Sequence, residues 1–230
     1  MKINIKQILH LFDEKAGNNE LKGHATSVTG FLGEDLNAAV FVHYGKSMGA
    51  KVKLLPNNVT TGKQKGPRLD RWIFWQKNES ILYQTEIKSW SSWAIGSKPL
   101  LLMAKDDEIA RAAEKDWERE LKEDYNKKNT HGRVSKVLKK MIVPEDFRKK
   151  KIEPLVIHWR VINPSGIEPF FKFPVKKLDI KFETNFSNIN YFSVSLYLRK
   201  LLKKGKKYIK VEIPHVEERL KIVNNLLRKK

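Results

Sequence analysis

Glu86 and Lys88 stand two residues apart in SILYQTEIKSW, a run whose apolar alternation predicts a β-strand. That spacing puts both charges on one face and turns Ile87 into packing. The run before it, RLDRWIFW, predicts a second strand and carries Asp70, and the polar QKNE between them reads as a hairpin connection. Charges in apolar strands are costly unless something neutralises them. If the strands pair, Asp70 sits beside Glu86, and two adjacent carboxylates repel unless a cation lies between them. Hard oxygen donors of this kind, completed by water, suit Mg²⁺ or Mn²⁺. Lys88 could then orient a water or stabilise charge developing on a phosphate. The rival reading is a surface salt bridge from Lys88 to Glu86 or Asp70.

The triplet is short and recurs as Asp13-Glu-Lys15, Glu20-Leu-Lys22, Glu120-Leu-Lys122 and Asp179-Ile-Lys181. The first three fall in helical or loop contexts, where such charges form a solvated face. Asp179 lies on a plausible strand that lacks a convincing acidic strand before it. Only Glu86 combines a strand, a preceding strand with a carboxylate, and an acidic helix start further upstream, Glu34 in GEDLNAA.

This order resembles the PD-(D/E)xK nuclease superfamily, with Asp70, Glu86, Lys88 and Glu34 at the matching positions. The resemblance covers roughly residues 30–90. It implies a restriction-endonuclease-like α/β core and metal-dependent hydrolysis of DNA phosphodiesters. Asp70, Glu86 and the Ile87 carbonyl would hold the metal, Lys88 the attacking water, and Glu34 a water or second metal. It also implies a homodimer or a place in a larger transposition or defence complex. Leu69 departs from the proline that usually precedes the aspartate, with Pro67 further back.

Charge points the same way. The chain carries 46 Lys and Arg against 26 Asp and Glu, a net of +20. Residues 131–230 hold 25 basic and 9 acidic side chains, while residues 1–130 hold 21 and 17. So uneven an excess suits a polyanion, since each cation near a phosphate releases condensed counterion. Nucleic acid ranks well ahead of a membrane surface. With no cysteine, disulfides, thiolate metal sites and cysteine nucleophiles are excluded. MKINIKQILHLFDEK matches neither a signal peptide nor a membrane span, so a cytoplasmic protein is expected.

Such a site needs a sheet to hold it. KVKLLP, EPLVIHWRVI, one or two strands in FFKFPVKKLDIKFET, and KYIKVEI add strands. Helices are expected over 3–15, EDLNAAVFVHYGKSM, DDEIARAAEKDWERELKEDYNKK, FSVSLYLRKLL and PHVEERLKIVNNLL, with GHATSVTGFLG and NNVTTGKQKGP as loops. Alternation of the two implies an α/β or α+β sheet with helices packed on it, and the resemblance implies the α/β form, a central mixed sheet flanked by helices. A composition shift near 130 divides a core, 1–130, from a basic part, 131–230, that completes the sheet and binds nucleic acid, unless 1–230 is a single domain.

Weaker nucleic-acid contacts are Lys63, Lys65 and Arg68 in GKQKGPR, Ser89 after the lysine, and the basic run LRKLLKKGKK, with Arg199, Lys200, Lys203 and Lys204 and then Lys206 and Lys207, for which a solvated face is nearly as good a reading. Trp90 and Trp93 could stack on a base but read more readily as core. Gly45-Lys46-Ser47 is no phosphate loop, because Val40 stands where a glycine is needed. His158, inside LVIHWRV, reads as a satisfied core histidine.

Overall fold

The structure, a computed structural model, describes residues 1–14, 19–55, 69–88, 100–124, 135–178, 180, 182–213 and 216–227. In chain order the elements are β1 (Lys2–Asn4), α1 (Ile5–Leu9), a π-helical turn over His10–Glu14, α2 (Asn19–Ser47), β2 (Lys51–Leu54), β3 (Arg71–Gln76), β4 (Ser80–Lys88) and α3 (Asp106–Asp124). They continue with β5 (Lys151–His158), β6 (Phe170–Pro174), β7 (Asn188–Ser193), α4 (Val194–Lys203), β8 (Tyr208–Lys210) and α5 (Val216–Leu227).

Six strands form one mixed sheet in the order β2-β3-β4-β5-β7-β6. β2, β3 and β4 are an antiparallel meander, β4, β5 and β7 run parallel, and β6 closes the far edge antiparallel to β7. The protein is thus α/β with a central mixed sheet. The β4–β5 register runs from Ile81 opposite Lys151 to Lys88 opposite His158, so residues on both sides of position 130 share the sheet.

Strand alternation sorts the core into two layers. Ile81, Tyr83, Ile87, Leu155, Ile157 and Phe192 pack with Ile5 and Leu9 of α1, Phe41 of α2 and Leu198 of α4. The intervening positions Leu82, Val156 and Tyr191 pack with Trp117 of α3 and with Val137 and Leu138 of a 3₁₀ turn, Ser135–Leu138. Glu86 and Lys88 alternate with Ile87 and therefore face this second layer.

Several expectations change. GHATSVTGFLG is not a loop; it lies within α2, because helix propensity is a weak prior that a longer helix overrides. The backbone breaks only at Gly33, whose φ of 55° and ψ of −142° suit glycine and re-aim the chain just before Glu34. FSVSLYLRKLL divides: Phe192 and Ser193 end β7, and the Ser193 Oγ accepts the Leu196 amide at 3.2 Å to start α4. Among its described residues FFKFPVKKLDIKFET holds one strand, β6, within the one or two expected, and a 3₁₀ turn follows at Val175–Lys177. The helix expected over 3–15 begins with β1, which pairs with β8 in a separate ribbon. NNVTTGKQKGP lies outside the described residues except as it adjoins them. No helix among the described residues is long and apolar enough to cross a membrane.

Gly45 closes α2 against the sheet. A Cβ there would meet Val52 Cγ2 at 2.4 Å and Trp75 Cζ3 at 2.5 Å. Close approach of helix to sheet accounts for this glycine.

Candidate functional site

Because Arg71 pairs with Thr85, one further step of the register sets Asp70 opposite Glu86. Asp70 is half-buried just before β3, and its Oδ2 accepts the Ile87 amide at 2.6 Å. On an extended strand a residue's N–H and C=O face the same neighbour, so the Ile87 carbonyl also faces the Asp70 side. On the other side of β4, the Lys88 carbonyl accepts the Trp159 amide at 3.0 Å, as that alternation requires.

Glu86 is 3% exposed. Burial, then the Asp70 charge, push its carboxyl up to about 8, against the pull of Lys136 and Lys88. Glu34 follows the Gly33 break. It reaches the surface, yet the surrounding protein, then the Asp70 charge, push it up to about 7. The same Asp70 charge thus acts on both glutamates, which draws the three acids expected from the sequence into one electrostatic group. The next residue on each element locks them: Arg71 Nη2 donates to Asp35 Oδ1 in a buried ion pair.

Lys88 lies two residues from Glu86 on the same face and forms an ion pair that the sequence did not suggest. It meets Glu120 Oε1 at 3.4 Å. Glu120 is 6% exposed, which overturns its reading as a solvated helix face. Its other oxygen lies 3.3 Å from His158 Nε2, and His158 Nδ1 accepts the Arg160 amide at 3.3 Å. These contacts assign the ring proton to Nε2, which donates to Glu120. His158 is buried and satisfied, as expected, yet it belongs to the chain of groups that holds Lys88.

Glu86 has a partner that sequence reasoning missed. Lys136 Nζ lies 3.4 Å and 3.5 Å from its two oxygens. Gln84, two residues before Glu86 on the same face, holds the turn that carries Lys136, donating to the Val137 carbonyl and, at 3.0 Å, to the Lys139 carbonyl. No spacing rule links 86 to 136, or 88 to 120. The one available signal was Gln84, a buried amide that needed partners.

Among the described residues no group of three or more His, Cys, Asp or Glu side chains is arranged to hold a metal ion. Magnesium is commonly held by only one or two carboxylates with water in the remaining positions. Asp70, Glu86 and the Ile87 carbonyl are oxygen donors of that kind, and the Asp70 charge, second to burial in raising the Glu86 carboxyl, is one that a cation would relieve.

The basic stripe fares differently. Arg199 is 2% exposed and points inward, bonded to Asp13 Oδ2 at 3.0 Å and to the Leu100 and Leu101 carbonyls at 3.0 and 2.8 Å. It is a core residue and no contact for nucleic acid, and Asp13 is likewise no solvated charge. Lys200 pairs with Glu168, and Lys203 with Asp106. Lys204 is exposed. Lys63, Lys65, Arg68, Ser89, Trp90 and Trp93 lie outside the described residues.

Compared with known proteins, the chain matches no family model, no curated protein and no solved structure.

Proposed function

We propose that this chain is a metal-dependent nuclease that hydrolyses DNA phosphodiester bonds on a restriction-endonuclease-like core. The observation that carries the reading is the strand register that sets Asp70 opposite Glu86, with Lys88 next on the same face. Glu34 adds a third acid within reach of the Asp70 charge.

A bound Mg²⁺ or Mn²⁺ supplies a lowered pKa for its water and neutralises charge on the phosphate. The chain's own groups do the rest. Asp70 and Glu86 would provide the oxygen donors, and because burial holds the proton on Glu86, ionising that carboxyl calls for a cation beside it. Lys88, steadied by Glu120, orients the attacking water. Lys136, whose ammonium straddles both Glu86 oxygens, is placed to exchange that carboxylate for a phosphate oxygen. By analogy with the superfamily, the products carry 5′-phosphates. Two copies, or partner proteins, would cut both strands of a duplex.

A second reading has an observation of its own. The pairs Lys136–Glu86 and Lys88–Glu120 neutralise two of the site's charges without any metal. On that reading the chain binds nucleic acid and cleaves nothing. Plasmid and single-stranded DNA incubated with Mg²⁺ or Mn²⁺ separate the two. Cleavage by wild type, lost in Asp70→Asn and Lys88→Ala, supports the nuclease; equal products from all three proteins, or none from wild type alone and with candidate partner proteins, overturn it.

A further inference from the structure

The β1–β8 ribbon is built from two three-residue strands with Lys2 opposite Lys210, Ile3 opposite Ile209 and Asn4 opposite Tyr208. Ile3 and Ile209 are buried, so the alternation turns Lys2, Lys210 and Tyr208 outward, and all three are exposed. Like charges directly opposite one another across a ladder repel. The Ile5 amide donates to the Lys207 carbonyl at 3.0 Å, and Lys6, the residue after Ile5, is exposed, as is Lys207. Lys204 and Lys206 flank Gly205 in the turn that feeds the ribbon, where its φ of 78° suits glycine.

The lysines of this region divide into two kinds. Lys200 and Lys203 are held by Glu168 and Asp106. Lys6, Lys204, Lys206, Lys207 and Lys210 carry no carboxylate partner among the described residues, and Lys2 rests 4.3 Å above the Tyr208 ring. Their field is felt nearby. Half-buried His43 is held below its ordinary value by burial, then by Lys206 and Lys46.

We propose that this ribbon is a nucleic-acid grip, in which Lys2, Lys6, Lys204, Lys206, Lys207 and Lys210 bind the phosphate backbone. Its apolar side joins the core layer opposite the one that Glu86 and Lys88 face, so it anchors the polymer away from the candidate site and touches no reacting atom. The inference stands apart from cleavage, because it needs only a polyanion.

The test is salt-dependent binding of a short DNA duplex in EDTA, followed by fluorescence anisotropy. Each phosphate contact contributes about 0.9 to the slope of log affinity against log salt. Lys206→Ala/Lys207→Ala/Lys210→Ala should flatten that slope by about two to three, with the melting temperature unchanged because these side chains are exposed. Lys200→Ala/Lys203→Ala, which removes lysines already paired, should leave the slope as in wild type. An unchanged slope in the triple variant overturns the proposal, and so does loss of binding to anionic phosphatidylserine vesicles with duplex binding intact. Because no divalent ion is present, failure of the nuclease reading leaves this result untouched and shows only in the cleavage assay.

Discussion

Asp35 and Arg71 form a buried ion pair, and each directly follows a residue of the candidate site, Glu34 in one case and Asp70 in the other. The pair ties the second half of α2 to the start of β3, so it fixes two acids at once. Asp35→Ala leaves the Arg71 guanidinium buried and unpaired, an expected loss of about 3–5 kcal/mol in urea denaturation. A loss under about 1 kcal/mol would show that the pair behaves as a surface contact and does not brace the site.

The carboxyls make stability depend on pH. Glu86 is raised from 4.5 to about 8 and Glu34 from 4.5 to about 7. The folded state holds these protons more tightly than the unfolded chain, so their contribution is complete below 4.5 and is lost as pH rises through about 7 and 8. Glu86→Gln keeps the neutral form at every pH. Without divalent ions, its melting temperature should gain on wild type as pH rises across that window, and a constant gap would contradict the raised carboxyl.

Added Mn²⁺ should act in the opposite sense. Cation binding requires ionised carboxylates, so the stabilisation of wild type by Mn²⁺ should grow with pH up to about 8. In Asp70→Asn and Glu86→Gln the Mn²⁺ effect should be small at every pH. Differential scanning fluorimetry with and without Mn²⁺ reads this directly, and equal shifts in all three proteins would place the ion elsewhere.

Glu120 pairs with Lys88 at 3.4 Å, and under the proposed nuclease function it would position that lysine without contacting the phosphate. Glu120→Gln retains the shape and the His158 contact but removes the charge that holds the ammonium. Cleavage should fall by about tenfold to a hundredfold, a typical effect of losing such a supporting group. Duplex binding in EDTA should be unchanged. A matching loss of binding would mark Glu120 as structural.

Arg199→Ala should destabilise the fold by about 3–5 kcal/mol, since it strands Asp13 in the core. The raised Asp13 carboxyl, which burial drives against the pull of Arg199, softens that loss at low pH. The fraction that remains folded should bind duplex with the wild-type salt slope. A flatter slope would return Arg199 to the phosphate-binding set.

What was legible in the sequence followed local periodicity. Period two placed Glu86 and Lys88 on one face, and the polar break after RLDRWIFW announced a hairpin that brings Asp70's strand beside theirs; the turn is three residues, 77–79, one fewer than QKNE, and that length sets Asp70 opposite Glu86. The acidic start of α3 and the β-branched run of β5 were equally plain. What escaped depended on contacts distant in sequence. Lys136 and Glu120 meet their partners 50 and 32 positions away, distances no pattern encodes. Arg199 looked like one cation in a basic run, and only its place on the inner side of α4 separates it from Lys204. β1, at three residues, is too short for alternation to register, whereas its partner β8 falls inside the strand expected over KYIKVEI.

The parallel pairing of β4 with β5 has a bearing on how the chain acquires its shape during synthesis. The strand bearing Glu86 and Lys88 gains its second neighbour only when Lys151–His158 has emerged from the ribosome. β7 must follow before β5 is itself flanked on both sides. Such distant partners are slow to find one another, so nascent chains stopped before position 151 should expose an unfinished, apolar β4 edge and call on chaperones, while longer ones fold.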